Sequence, residues 1–234
     1  SLTEPVRVLV ICYSRFGAIR DLAGYIREGI ARVPGTASDL LEVGEDPLPE
    51  LQGEAARDEA ANGRRTVLLN RLAQADAFII GSPAYFGSLA ASLKRFFEDV
   101  GVASSPLLDR TRPWHHYLFR DKPGAAFVTS ATPHGGNEQA LQSILTLMMH
   151  LGMLVVTPGQ RGPILDQPAA PYGATAITGP SGHRGLTEAE IGEARDLGQR
   201  LAEVAMRLRV GRLLEADRLR AAEVARSRHF DPSA

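Results

Sequence analysis

The 234-residue sequence has one cysteine, one tryptophan and two lysines, and no long apolar run. The single cysteine, Cys12, excludes an internal disulfide framework and any zinc or iron–sulfur site built on several cysteines. No apolar run approaches the roughly 18–20 residues of a membrane span. No charged segment followed by an apolar one opens the sequence, so no secretory signal is expected and a cytoplasmic location is the simpler expectation. An excess of charge of one sign is lacking too: 26 Lys+Arg stand against 27 Asp+Glu, a net charge of −1. Nucleic-acid binding needs a concentrated cationic excess, and an acidic electron shuttle that docks by steering needs the reverse. The cations are scattered arginines apart from Lys94 and Lys122. Also missing are G-x-G-x-x-G and G-x-x-x-x-G-K-[ST], so neither a dinucleotide nor a nucleoside-triphosphate cradle is indicated.

What is present is an alternation of buried strands and amphipathic helices. Val6–Tyr13 is a near-continuous apolar, β-branched run, as in a strand covered on both faces. Ile19, Leu22, Ala23, Ile26, Ile30 and Val33 then recur at helical spacing until Pro34-Gly35. Asp39–Val43, Asp76–Ser82, Gly124–Ser130 and Met153–Thr157 read as four further strands. Helices are expected near 65–74 and 88–100, from an N-cap at Asn137 to about Leu151, and from a capping box formed by Thr187 and Glu190. The acidic stretch 44–62 reads as a solvated connection, and 101–123 and 158–186 as long aperiodic loops. The pattern predicts an α/β, flavodoxin-like three-layer sandwich: a five-stranded parallel sheet in the order 2-1-3-4-5. Residues 1–209 then form one domain, and 210–234 a C-terminal extension, helical and then disordered.

In such sheets ligands bind beyond the C-terminal strand ends. The loop after the first strand, Ser14-Arg15-Phe16-Gly17-Ala18-Ile19, runs into a helix N-terminus, whose free N–H groups favour a phosphate. A single terminal phosphate, as on FMN, suits it, although an ordinary strand–helix turn would read the same way in isolation. The third-strand loop puts Tyr85 and Phe86 at the same rim, and the fourth supplies Ser130, Thr132, His134 and the amides of Gly135 and Gly136. Phosphate turn, aromatic wall and polar-amide loop are the parts a flavin needs.

The segments SRFGAI (14–19), GSPAYFG (81–87), ATPHGGNEQ (131–139), HLGM (150–153) and PYGAT (171–175) resemble, in order and spacing, the WrbA-like (type IV) NAD(P)H:quinone oxidoreductases. The resemblance runs from about Val6 to Leu208. It implies an FMN-binding enzyme that reduces quinones to hydroquinones by two electrons from NADH or NADPH, in a ping-pong cycle of hydride transfer through flavin N5. It also implies a homotetramer built as a dimer of dimers. By motif position, Ser14, Arg15, Phe16, Gly17, Ala18 and Ile19 would hold the FMN phosphate, and Ala84, Tyr85, Phe86 and Gly87 would flank the ring. Ser130, Ala131, Thr132, Pro133, His134 and Gly135 would contact isoalloxazine and ribityl. His150 would approach the flavin from a neighbouring subunit as a catalytic residue, and Trp114, with Phe16, would line the shared substrate pocket. The chain departs from the family at Phe16, Ala18 and Ala84-Tyr85, where Tyr, His and Thr-Arg are usual.

Read from the residues alone, His150 on an apolar helix fits a structural role as well, and His134 fits a solvated loop as well as a ligand contact. The pair His115-His116 lacks a third ligand, so no metal site is expected. Two rival readings remain: a flavodoxin-like electron carrier, and a flavin-free regulatory or scaffold protein.

Overall fold

The computed structural model describes residues 4–45, 59–103, 118–160 and 170–228, and the statements below concern these. Six strands and five helices follow in the order β1 (Val6–Cys12), α1 (Ala18–Ala31), β2 (Thr36–Glu42), α2 (Glu59–Gln74), β3 (Ala77–Pro83), α3 (Ala91–Ala103), β4 (Pro123–Ser130), α4 (Asn137–His150), β5 (Leu154–Val155), β6 (Ala174–Ile177) and α5 (Glu188–Arg228). The strands pair in parallel in the order β2-β1-β3-β4-β5, with β6 also on β4. That is the flavodoxin-like order expected from the alternation of strands and helices.

Successive side chains of a strand point to opposite faces, and here each face is roofed by helices. Val8 and Val10 of β1 enter a core with Ile19, Leu22 and Ile26 of α1 and Leu197 and Leu201 of α5. Leu9 and Ile11 enter the other, with Leu93 and Phe96 of α3 and Leu141 and Ile144 of α4. Every residue of β4 is buried, as befits the strand with neighbours on both edges. On the first face α1 and α5 meet through glycine: a Cβ on Gly29 would fall 1.9 Å from the Arg195 carbonyl oxygen, and one on Gly198 2.0 Å from that of Ile26.

Several boundaries differ from the sequence reading for physical reasons. The strand β2 starts at Thr36, not Asp39, because Val6 already pairs with Thr36. The first described residues of α2, from Glu59, fall within the stretch read as a connection. Gly136, at φ 83°, is the N-cap of α4; Asn137 is its first helical residue and is buried. The fifth strand position is filled twice. The run Met153–Thr157 supplies only the two residues of β5 before Pro158, which has no N–H to donate. The upper half of β4, Phe127–Ser130, pairs instead with β6, out of the segment read as an aperiodic loop. Gly173 permits that return, since a Cβ there would stand 2.3 Å from the Ala126 carbonyl oxygen. The capping box forms as expected: the Thr187 N–H donates to Glu190 Oε2 at 2.8 Å and the Glu190 N–H to Thr187 Oγ1 at 3.2 Å.

Candidate flavin site

The C-terminal ends of β1, β3, β4 and β6 open on a cleft of about 270 Å³. Its first wall is Ser14, Arg15, Phe16, Ala18 and Ile19. At its centre stands Gly17, the N-cap of α1, at φ 98°, a left-handed backbone that suits only glycine, with nothing within 4 Å where a Cβ would lie. Gly17 supplies no side-chain cap. The Ser14 hydroxyl accepts the Arg20 N–H at 3.3 Å, and the first-turn amides of Ala18 and Ile19 have no intrahelical acceptor by position. Arg20 itself is engaged, gripping Glu42 through Nε and an Nη at 2.7 and 2.6 Å. Arg15 lies 3.7 Å from Glu45 and 5.8 Å from the Phe16 ring centroid. An anion entering this turn would therefore meet neutral donors and the helix dipole first, and Arg15 second.

The β3 loop contributes Pro83, Ala84 and Tyr85. Its two aromatics part ways. Tyr85 packs against the core beneath the cleft, and its hydroxyl is buried without a hydrogen-bond partner among the described residues. The neighbouring Tyr13 hydroxyl donates to Glu45 at 3.0 Å; burial, then this bond, push its pKa up. Phe86 is thrown outward, fully exposed, at φ 52°. Gly87, at φ 72°, turns the chain back.

From β4 come Thr129, Ser130 and Ala131. The Ser130 hydroxyl donates to the Thr132 carbonyl at 2.8 Å, and the Gly135 N–H reaches the same oxygen at 2.9 Å, so the loop closes on itself. Thr132, Pro133 and His134 point to solvent and do not line the cleft. A fourth wall escaped the sequence reading: Thr178, Pro180, Ser181 and Gly182, which follow β6. The Thr178 N–H donates to the Ser130 carbonyl at 2.8 Å, fastening this wall to the β4 loop. The signal for it was a short strand-like run, ATAI, followed by the same small, hydroxyl- and glycine-rich composition as the β4 loop.

His150 is not brought to the cleft of its own chain. It is exposed at the C-terminus of α4, whose N-cap Gly136 adjoins the Gly87 turn, and 14 residues of helix put about 20 Å between those ends. Trp114 and the pair His115-His116 lie outside the described residues.

The residues present fit FMN. The first turn of α1 and Ser14 suit a terminal phosphate, and the loops of β3, β4 and β6 enclose the space beside it with one aromatic, hydroxyls and small residues.

Fold and cleft together define a flavodoxin-like α/β protein with a cleft at the carboxyl ends of the strands. The profile of the NADPH-dependent FMN reductases matches residues 6–162, and the chain belongs to that family. It is 34% identical over 207 residues to an NAD(P)H dehydrogenase (quinone) of Chromohalobacter salexigens, covering 86% of this chain and 98% of the relative. A protein of the same name from Solidesulfovibrio magneticus is 33% identical over 214 residues, covering 87% of this chain and all of the relative. Among solved structures, a WrbA-like flavodoxin from Agrobacterium tumefaciens superposes with a TM-score of 0.56 at 22% identity, over 86% of this chain and 98% of that one. Among the described residues no helix is long and apolar enough to cross a membrane.

Proposed function

We propose that the cleft holds FMN, with its phosphate on Ser14–Ile19, and that the chain reduces quinones to hydroquinones with electrons from NADH or NADPH. The observation that carries this is the first turn of α1: its Ala18 and Ile19 amides lack an intrahelical acceptor, Gly17 opens it at φ 98°, and it faces a cleft walled by four strand-end loops. When bound, FMN supplies the two-electron carrier between donor and acceptor. The chain's own residues bind and orient. Ser14 and the amides of Ala18 and Ile19 fix the phosphate end, and Ala84, Tyr85, Ser130 and Ala131 bound the ring. Phe16, exposed at the mouth, offers an apolar face to whichever substrate enters. Donor and acceptor would take turns at the exposed face of the bound FMN, in the ping-pong order that the family resemblance implies. The Tyr85 hydroxyl is buried at the edge of the cleft, without a hydrogen-bond partner among the described residues.

His150 is a candidate for supplying a proton to the acceptor oxygen only in an assembly, because one chain keeps it about 20 Å from the Gly136 turn. We accordingly place this protein in a cytoplasmic homotetramer in which one copy's His150 serves another's cleft. Residues 1–209 form the catalytic unit and 210–234 an appendage to it.

The deciding experiment is titration of FMN into purified protein, followed by quenching of flavin fluorescence. One equivalent per chain is expected. Ser14→Ala should weaken binding about ten-fold, the loss of one hydrogen bond to a charged group. Failure of the wild-type protein to take up FMN would overturn the reading.

A further inference from the structure

A second concavity, of about 510 Å³, adjoins the cleft and shares two of its residues, Arg15 and Tyr85. Phe86, Ser88, Leu89, Ala91 and Lys94 complete its lining. Three features set it apart from ordinary surface. Phe86 is 109% exposed, so its ring packs on nothing among the described residues. Its φ of 52° lies in the left-handed region, a strained backbone for a bulky residue that the turn maintains in order to hold the ring outward. The concavity is also lined by two cations, Arg15 and Lys94, the latter one of only two lysines.

Both cations have carboxylates beside them. Arg15 is 3.7 Å from Glu45, with both side chains more than half exposed, and Lys94 pairs with Glu98 one turn along α3, again exposed. Exposed pairs of this kind contribute little and exchange readily for a better anion. An unpacked aromatic ring in a concavity lined also by two cations and apolar side chains is the chemistry for a flat heterocycle bearing phosphate.

We infer that this concavity is the subsite for the adenosine-phosphate half of the nicotinamide donor, with Phe86 stacking on adenine and Arg15 and Lys94 receiving phosphate. The inference rests on the reading of the adjoining cleft as the redox site, since the donor must reach both. It gives Lys94 and Phe86 a role in donor affinity that the motif carrying the family resemblance does not include for Lys94. It also supplies, from α3, a cation that Tyr85 does not provide in the β3 loop.

The test uses ADP and adenosine 2′,5′-bisphosphate as probes, titrated calorimetrically into the full-length protein with and without FMN. Steady-state kinetics with NADH, NADPH and benzoquinone accompany them. Lys94→Ala and Phe86→Ala should each weaken binding of a probe at least five-fold. Both should raise KM for the nucleotide by a similar factor, with the quinone KM at its wild-type value. Loss confined to adenosine 2′,5′-bisphosphate and NADPH would assign Lys94 to the 2′-phosphate, and equal loss for both probes would assign it to the diphosphate. Wild-type probe affinity in both variants, or a change in the quinone KM in place of the nucleotide KM, would overturn the inference. If the protein takes up no FMN, the reading of the cleft fails, and probe binding still tests the second concavity by itself.

Discussion

Gly136 and Gly87 stand against each other where the β4 and β3 loops meet: a methyl group on Gly136 would lie 2.9 Å from Gly87 Cα and 3.3 Å from its amide nitrogen. Both hold positive φ, 83° and 72°, so neither the contact nor the backbone tolerates a side chain.

Gly136→Ala should therefore be destabilising by about 1–3 kcal/mol, through strain at φ 83° and separation of the two loops. It should also weaken FMN binding, because both loops bound the cleft. Gly24→Ala, on an open face of α1 with nothing within 4 Å, should instead gain about 0.5–1 kcal/mol. Urea denaturation of the two variants beside the wild type measures both signs. A Gly136→Ala protein as stable as the parent would mean that the loops are not locked together.

Glu190 ties the last wall of the cleft to α5. Its carboxylate accepts the N–H of Thr187 at 2.8 Å and of Ile177 at 2.9 Å, and pairs with Arg184. Burial pushes its pKa up, but the two backbone N–H groups and the Arg184 guanidinium outweigh this and hold it below the ordinary 4.5. With the folded value depressed, the stabilisation is fully present above about pH 4.5 and is lost as pH falls through the folded value. Glu190→Gln should cost about 1–3 kcal/mol at neutral pH. The gap between the two proteins should stay constant from about pH 5 to 8 and narrow in acid. Denaturation midpoints across pH 3–8 provide the check, and a gap that widens in acid would contradict this assignment.

Cys12 is wholly buried in β1, and burial first, then the nearby Glu42 carboxylate, push its thiol up to about 12. A disulfide reagent such as dithionitrobenzoate at pH 8 should leave the native protein unlabelled and titrate one thiol per chain after unfolding. Rapid labelling of native protein would show that β1 opens in solution. A thiol with no exposed surface is out of reach of a substrate, so Cys12→Ser should retain quinone reduction.

Where local chemistry decides, the sequence is a good guide. The strands β1, β3 and β4 announce themselves because burial on both faces demands apolar residues nearly throughout, and the Thr187–Glu190 box shows itself because a cap is a contact three residues apart. The walls at Ser14–Ile19, Ala84-Tyr85 and Ser130-Ala131 follow from the rule that parallel sheets bind at their carboxyl ends. What escaped depends on distant partners. The strand β6 is four residues long and apolar only in part; it becomes a strand because β4 offers it an edge, and with it came Thr178–Gly182. The divergence of Tyr85 inward and Phe86 outward is set by a single positive φ that no side-chain pattern records. The distance of His150 from the cleft of its own chain follows from the length and direction of α4, which composition does not convey.

The division of the fifth strand position also bears on how this fold can vary. β5 leaves β4 at Gly124, and β6 takes it up again three residues on, at Phe127, so two short stitches to the sheet bracket the sequence between them. Closing a longer loop between fixed ends costs only about 0.6 kcal/mol per doubling of its length. Insertions and deletions can therefore accumulate between the stitches while the Thr178–Gly182 wall stays pinned by the second. The sheet keeps an address for new sequence directly upstream of a loop that walls the cleft, and family members can differ in length there without disturbing that wall.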